Sequence, residues 1–246
     1  MLEHLPEDIR AAHRYGDWDA MAGPFFSEFK RETHVAKPFL LPKEWQRYRV
    51  FDYGLDMFAC YWVAVDFDGR LWFYREFCES GLIVSEAAQA MRRLTPADEF
   101  IQYTVAPPDM WSTLKDTGRT MAEVFTQNGI GLVRASNARV QGWLLMTEFL
   151  KPMADGKPGP MVFQDCARLI RDIPALQHSE KNPSDCATEP HEITHSPDAC
   201  RYFCAFRAMG ATREEVRNGY EEDDELEDYD DAMCGGEADR SYLAYG

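Results

Sequence analysis

Residues 48–77, YRVFDYGLDMFACYWVAVDFDGRLWFYREF, constrain the fold of this chain more than any other stretch. Three runs dense in aromatic and β-branched residues follow one another with short polar breaks, and such runs favour strands. YRVFDYG ends at Gly54, FACYWVAV follows it, and RLWFYREF comes after the turn sequence DFDG (66–69). Asp and Gly stand in that turn where a hairpin uses them. With connections this short, an antiparallel three-stranded meander is the economical arrangement. One residue does not suit it. Asp52 interrupts the first apolar run, and an unpaired buried carboxylate is costly. Either the strand ends there or the carboxylate has a partner, such as a metal ion.

Beyond the meander the periodicity changes. SEAAQAMRRL (85–94) predicts a helix with Ser85 as its N-cap and basic residues in its last turn. FIQYTVA (100–106) predicts a fourth strand, ended by Pro107 and Pro108. TMAEVFTQNG predicts a helix stopped by Gly129, IGLVRA (130–135) a fifth strand, and RVQGWLLMTEFLK (139–151) a helix with apolar residues at helical spacing. PMVFQ reads as a short strand and DCARLIRDI as a short helix. SPDACRYFCAFRAM (196–209) reads as a last helix opened by Ser196 and Pro197. That order predicts an α/β fold: a mixed sheet, three antiparallel strands and then alternating helices and strands, with helices on both faces. Residues 1–46 read as a lead-in, a short helix in PEDIRAAHRYGDWDAM and an extended connector broken by Pro38 and Pro42. The compact domain is expected over residues 47–210, followed by an acidic, disordered tail over 211–246.

The formal net charge is −16, which looks hostile to nucleic acid, but its distribution is uneven. From Glu221 onward there are eleven Asp or Glu against a single Arg. Such a block repels itself and cannot bury a core. The body is only mildly acidic, so net charge does not exclude DNA. Two roles suit the tail, competition with DNA for a basic groove or docking onto another protein. The seven cysteines show no paired short spacing of the disulfide-framework kind, which predicts reduced thiols and a cytoplasmic setting. No apolar run reaches the roughly 18 residues of a membrane span, so no membrane association is expected.

Candidate chemistry lies in acids at the ends of apolar elements. Asp52 is late in the first strand, Asp109 follows the fourth, and Asp198 is in the first turn of the last helix. The first and fourth strands are neighbours in a sheet of this order, and a closing helix can bring its N-terminus to the same edge. Three converging carboxylates repel one another without a cation, and hard oxygen donors suit Mg²⁺ or Mn²⁺. Two such ions about 3.5–4 Å apart would activate water and stabilise the leaving oxygen in phosphodiester cleavage. Each acid also has an ordinary reading: Asp52 as turn former, Asp109 as a cap, Asp198 as a partner of the helix dipole.

Other motifs compete for attention. His191 and His195, then Cys200 and Cys204, form H-x₃-H and C-x₃-C, which invites zinc. Pro197 and the helix start separate the pairs, and the cysteines lie in an apolar run, so small buried thiols are expected instead. His195, three residues before Asp198, is the better placed histidine for assisting proton transfer. Arg134 and Arg139 are candidate phosphate contacts. Asn137 is a DNA contact or a helix cap, and Trp143 a core anchor. Lys115 and Arg119 are candidate backbone contacts near the acids. The aromatic stripe of Tyr61, Trp62, Trp72, Phe73 and Tyr74 reads as sheet packing rather than a base-stacking platform.

RVFDYG, YTVAPPDMWS, NGIGLVRASNARVQGWLLMTEFLK and PHEITHSPDACRY together resemble the C-terminal nuclease portion of the large terminase subunit of tailed bacteriophages. The resemblance starts at LPEDIRAAHRYGDWDAMAGPFFSEF, where residues 1–46 look like the end of the family's ATPase region and the linker, and it spans about residues 5–207. It implies an RNase H-like fold, with Asp52, Asp109 and Asp198 as catalytic metal ligands for Mg²⁺ or Mn²⁺ in a two-metal site. Glu76 and Glu192 are auxiliary candidates beside His195. It further implies an endonuclease that cuts concatemeric viral DNA during genome packaging in the bacterial host cytoplasm. The implied partners are double-stranded DNA, the phage portal and the small terminase subunit. The phosphate-cradling G-x-x-x-x-G-K-[ST] is not found, and DGKPGP does not fit it, so no ATPase activity is expected of this chain. The rival expectations are a non-catalytic module that binds DNA or the portal, and another RNase H-like nuclease such as a junction resolvase.

Overall fold

The computed structural model describes residues 23–113 and 118–220, with side chains of the closing helix described to residue 208. The helix expected near the N-terminus, Lys115 and the acidic tail from residue 221 lie outside the described residues. The chain divides into two compact units, Met1–Arg207 and Ala208–Gly246. The sheet and every candidate site residue among the described residues belong to the first unit.

The meander forms as expected. β2 (Gln46–Tyr53), β3 (Phe58–Val65) and β4 (Leu71–Glu79) are antiparallel neighbours, with Asp52 opposite Ala59 and Val65 opposite Leu71. A bulge between Trp62 and Val63 shifts the β3–β4 register. On the far side of β2, β5 (Thr104–Ala106) runs parallel to it, and β6 (Val133–Arg134) runs parallel to β5. β7 (Pro160–Phe163) joins parallel to β4. A two-residue strand from the expected connector, β1 (Val35–Ala36), pairs with β7 after a short helix, α1 (Arg31–His34). The seven-stranded order is β1-β7-β4-β3-β2-β5-β6. All eight residues of the central strand β3 are buried, which explains why its sequence shows no polar alternation.

Helices cover both faces. One face packs on α2 (Val84–Leu94) and α3 (Met121–Gln127) through Phe51, Phe58, Trp62, Met91 and Phe125. The other packs on α4 (Arg139–Leu150), α5 (Ala167–Asp172) and α6 (His195–Tyr220) through Val50, Tyr61, Phe73, Trp143 and Phe203. Phe26, outside the expected domain, is fully buried in this second core. Each fully buried aromatic contributes about 1.5–3 kcal/mol of transfer free energy, a reserve against which a few buried charges are tolerated. Residues 48, 50 and 52 share a strand face. Tyr48 and Val50 point into the α4–α6 core, which directs Asp52 toward the start of α6.

Several helix starts differ from expectation. α2 begins at Val84, and the N–H of Ile83 donates to the Glu86 carboxylate at 3.1 Å, so Ser85 is not the cap. α6 begins at His195 because the 3₁₀ turn His191–Ile193 already winds the chain into it. Ser196 therefore lies inside the helix rather than capping it. Asn137 does not cap α4: Ala138 holds that position, and its N–H donates to Ser136 Oγ at 3.2 Å. The fourth and fifth strands are shorter than predicted. No helix among the described residues is long and apolar enough to cross a membrane.

Candidate metal centre

Asp52 closes the inner face of β2, one residue before the strand ends at Tyr53. Asp109 lies in the 3₁₀ turn Pro108–Trp111, directly after the neighbouring strand β5. Asp198 lies in the first turn of α6. Strand pairing puts Asp52 and Asp109 at the same end of β2 and β5, and the 2.6 Å contact of His195 with Asp52 brings the start of α6 there as well. Burial pushes the Asp52 carboxyl above its usual range; the charges of Asp198 and Asp109 add to the push, while a hydrogen bond from His195 opposes it. Asp198 is buried and Asp109 exposed, so the cluster opens to solvent on the Asp109 side.

Asp198 already has strong partners. Arg139 Nη1 donates to both of its oxygens, at 3.0 and 3.1 Å. Arg201 donates to Asp198 Oδ1 through Nε at 2.8 Å and Nη2 at 2.6 Å. Arg139 Nε also donates to Asp185 Oδ1 at 2.9 Å, and the Trp143 indole donates to the same oxygen at 2.8 Å. Burial tends to lower the Arg139 pKa, but the charges of Asp198 and Asp185 outweigh that and raise it. Gly142 makes room for this network, since a Cβ there would stand 2.8 Å from Arg201 Cγ. Arg139, expected as a phosphate contact, is thus committed to carboxylates.

His195 links Asp52 to a second cluster. Its Nδ1 lies 2.6 Å from Asp52 Oδ2 and its Nε2 lies 3.1 Å from Asp56 Oδ2. His191 Nδ1 lies 2.6 Å from the same Asp56 oxygen. Burial pulls the His195 pKa down, yet its bonds to Asp52 and Asp56 and their charges lift it to about 9. Burial raises Asp56 slightly, but hydrogen bonds from His195 and His191 outweigh it and hold the carboxyl at about 2. Among the described residues, Asp56, His191 and His195 are the one trio whose ligand atoms all fall within 4.8 Å of one another. Asp52, Asp109 and Asp198 do not form so tight a trio.

The auxiliary candidates separate clearly. Glu76 accepts the backbone N–H groups of Arg168 and Leu169 at 3.0 and 2.9 Å, so it caps the N-terminus of α5. Glu192 is exposed in the 3₁₀ turn next to His191. Arg134 stacks over Trp111, 4.8 Å from the ring centroid, in the turn that carries Asp109. Asn137 and Arg119 are exposed. Cys200 and Cys204 are buried in the α4–α6 core, as small apolar side chains are. Of the aromatic stripe, Tyr61, Trp62 and Phe73 are fully buried, which excludes base stacking on them. Sequence reasoning missed Asp56. Its signal was the second aspartate of FDYGLD, a turn that returns the chain beside His195.

No protein-family model matches the chain, and no curated protein sequence matches it significantly. Its fold does match solved structures. The P22 large terminase nuclease domain superposes with a TM-score of 0.60 at 18% identity, covering 76% of this chain and 93% of that one. The large terminase of a thermophilic bacteriophage, in complex with ADP, superposes with a TM-score of 0.61 at 17% identity over 74% of this chain. This chain spans 44% of that larger protein. The seven-stranded mixed sheet with helices on both faces is RNase H-like, and the fold is that of the nuclease domain of phage large terminases.

Proposed function

We propose that this chain is a divalent-metal-dependent DNA endonuclease of the large-terminase type, and that Asp52, Asp109 and Asp198 are its metal-holding carboxylates. The observation that carries the reading is positional: Asp52 ends β2, Asp109 follows its parallel neighbour β5, and Asp198 stands one helical turn after His195, whose Nδ1 lies 2.6 Å from Asp52 Oδ2. Like charges gathered in this way, with one side open to solvent, form a hard-oxygen donor set that fits Mg²⁺ or Mn²⁺. When bound, such ions supply an activated water and charge neutralisation at the phosphodiester. The protein's own part is positional. β2 and the turn after its parallel neighbour β5 carry Asp52 and Asp109 at the same end of the sheet. His195 holds the Asp52 carboxylate through Oδ2 and can exchange a proton at Nδ1. Arg139 and Arg201 hold Asp198. Arg134 and Arg119 are the candidate phosphate contacts in this reading, together with Asn137 and Lys115.

The substrate in this reading is double-stranded viral DNA, cut in the bacterial host cytoplasm during packaging, with the portal and the small terminase subunit as partners. The fold likeness to the P22 nuclease domain supports it. A second reading has its own observation. Both oxygens of Asp198 already accept from guanidinium groups, so its charge is countered without an ion. That favours a module that binds DNA or the portal without cutting, unless Arg139 withdraws when metal and DNA arrive. Plasmid cleavage with Mn²⁺, wild type against Asp52→Asn, decides between them. The nuclease reading expects nicked and linear products from wild type only. Equally intact plasmid from both proteins would favour the binding module.

A further inference from the structure

We infer that Asp56, His191 and His195 form a separate binding site for a borderline-soft divalent transition ion of the Zn²⁺ type, next to the carboxylate cluster but chemically distinct from it. The inference does not depend on the nuclease reading. It rests on donor set, geometry and support.

The donors are two imidazoles and one carboxylate, a set that selects Zn²⁺, Co²⁺ or Ni²⁺ over Mg²⁺, whose preference is for oxygen alone. Asp56 Oδ2 lies 2.6 Å from His191 Nδ1 and 3.1 Å from His195 Nε2, and all three atoms fall within 4.8 Å of one another. That spacing lets one ion reach all three at the roughly 2.0–2.2 Å of zinc bonds after small side-chain rotations. Three protein ligands leave a fourth position, and the site has an outer side for it. The Asp56 and His191 side chains are 50% and 56% exposed, whereas His195 is 4% exposed. An ion therefore approaches from solvent and meets one ligand anchored in the protein.

The surroundings match what a histidine ligand requires. A metal-bound imidazole needs its other nitrogen to donate to a carboxylate or carbonyl, which fixes the tautomer and the ring plane. Asp52 Oδ2, 2.6 Å from His195 Nδ1, supplies that partner. The two histidine rings meet edge to face with centroids 4.6 Å apart, so they converge on Asp56 without stacking. The 3₁₀ turn His191–Ile193 and the first residue of α6 fix the H-x₃-H spacing. The loop that carries Asp56 is held close by Gly54, whose N–H donates to Met57 O at 2.9 Å. A Cβ at Gly54 would lie 2.5 Å from Asp56 Oδ1 and 2.8 Å from His195 Cε1, so the absent side chain is what lets these ligands meet. Cys200 and Cys204, which the H-x₃-H and C-x₃-C pattern invites as zinc ligands, are buried as their apolar run predicts, and Asp56 lies beside the two histidines in their place.

The test is a Co²⁺ titration of the full chain followed by visible absorption, with excess Mg²⁺ present to occupy oxygen-only sites. Four-coordinate Co²⁺ gives strong visible bands that six-coordinate Co²⁺ lacks. We expect those bands in wild type, a loss of at least tenfold in Co²⁺ affinity in His191→Ala and in Asp56→Asn, and unchanged bands in Asp109→Asn. Circular dichroism of the variants checks folding, and His191, being exposed, is removed without opening the core. No bands in wild type would overturn the proposal, as would wild-type affinity in either ligand variant. Loss of the bands in Asp109→Asn would also overturn it, because the ion would then belong to the carboxylate cluster. Failure of plasmid cleavage leaves this site untouched, and failure of the Co²⁺ test leaves the nuclease reading untouched.

Discussion

The two clusters on either side of His195 are built from different materials. Asp52, Asp109 and Asp198 come from the end of a central strand, the turn after its parallel neighbour and the first turn of the closing helix. Asp56 and His191 come from a glycine-supported loop and a 3₁₀ turn, and only His195 belongs to a long element. The first cluster consists of oxygen donors alone, with Asp198 countered by guanidinium groups and Asp52 by His195; the second mixes nitrogen and oxygen donors that counter one another. Regular elements place groups at sheet-determined positions, so the first cluster follows from strand order. Loops place groups through local detail, so the second does not. His195 belongs to both, with one nitrogen toward each.

The largest effect that could break this comparison comes from Asp52. Asp52→Asn should lower Mn²⁺-dependent cleavage by at least about a hundredfold, since even partners one step removed from a metal typically cost 10–100-fold. Because Asn can still accept from His195, Co²⁺ binding at the second cluster should weaken far less. Equal losses at both would show that they are one site.

Arg139 sharpens the contrast from the other side. Arg139→Ala leaves Asp185 and Asp198 without one shared partner and should destabilise the fold by about 2 kcal/mol in urea unfolding. A fully buried pair costs about 3–5 kcal/mol when broken, and Arg139 is partly exposed. If Asp198 is a metal ligand, Mn²⁺ should bind more tightly to this variant despite its lower stability. Unchanged Mn²⁺ affinity would place Asp198 in the arginine network alone.

How far the chain could be read in advance follows the same division. The meander was legible because Phe58–Val65 and Leu71–Glu79 are long, apolar and joined by an Asp-Gly turn. Asp52 stood out because a carboxylate in an apolar run demands a partner. β1, with two residues, is too short to display any alternation. The caps at Ser85 and Ser196 misled because the helices begin before those residues, where a Glu86 carboxylate and a preceding 3₁₀ turn take over the exposed backbone groups. For Arg139 the sequence shows a charge but not its carboxylate partners, Asp185 and Asp198, which only the fold brings to it. Asp56 was missed because its meaning depends on His191, 135 residues away, and on the missing Cβ of Gly54.

A smaller effect concerns pH in the metal-free protein. His195 titrates at about 9 in the folded chain against an ordinary value of 6.5. A raised folded value means its contribution is fully present below about pH 6.5 and is lost as pH rises through about 9. The rise from 6.5 to about 9 is worth at most about 3 kcal/mol, and solvent screening at the 50% exposed Asp56 side chain reduces this to about 1–2 kcal/mol. Stability should fall by that much between about pH 6.5 and 9.5, read from urea midpoints, and His195→Asn should remove that slope. A slope that survives in the variant would assign it to other groups.

The smallest effect belongs to Glu76, which both clusters should ignore. Glu76→Gln weakens the cap on α5 and should cost about 1 kcal/mol. It should leave Mn²⁺ and Co²⁺ binding as they were. A change in either affinity would move Glu76 from helix cap to ligand.

The most direct test of the central claim is a crystal soaked in Mn²⁺ and examined by anomalous diffraction. The account predicts a peak within bonding distance of Asp52, Asp109 and Asp198, with Arg139 turned away from Asp198. An Arg139–Asp198 pair still closed at 3.0 Å, with no peak among the three carboxylates, would contradict it.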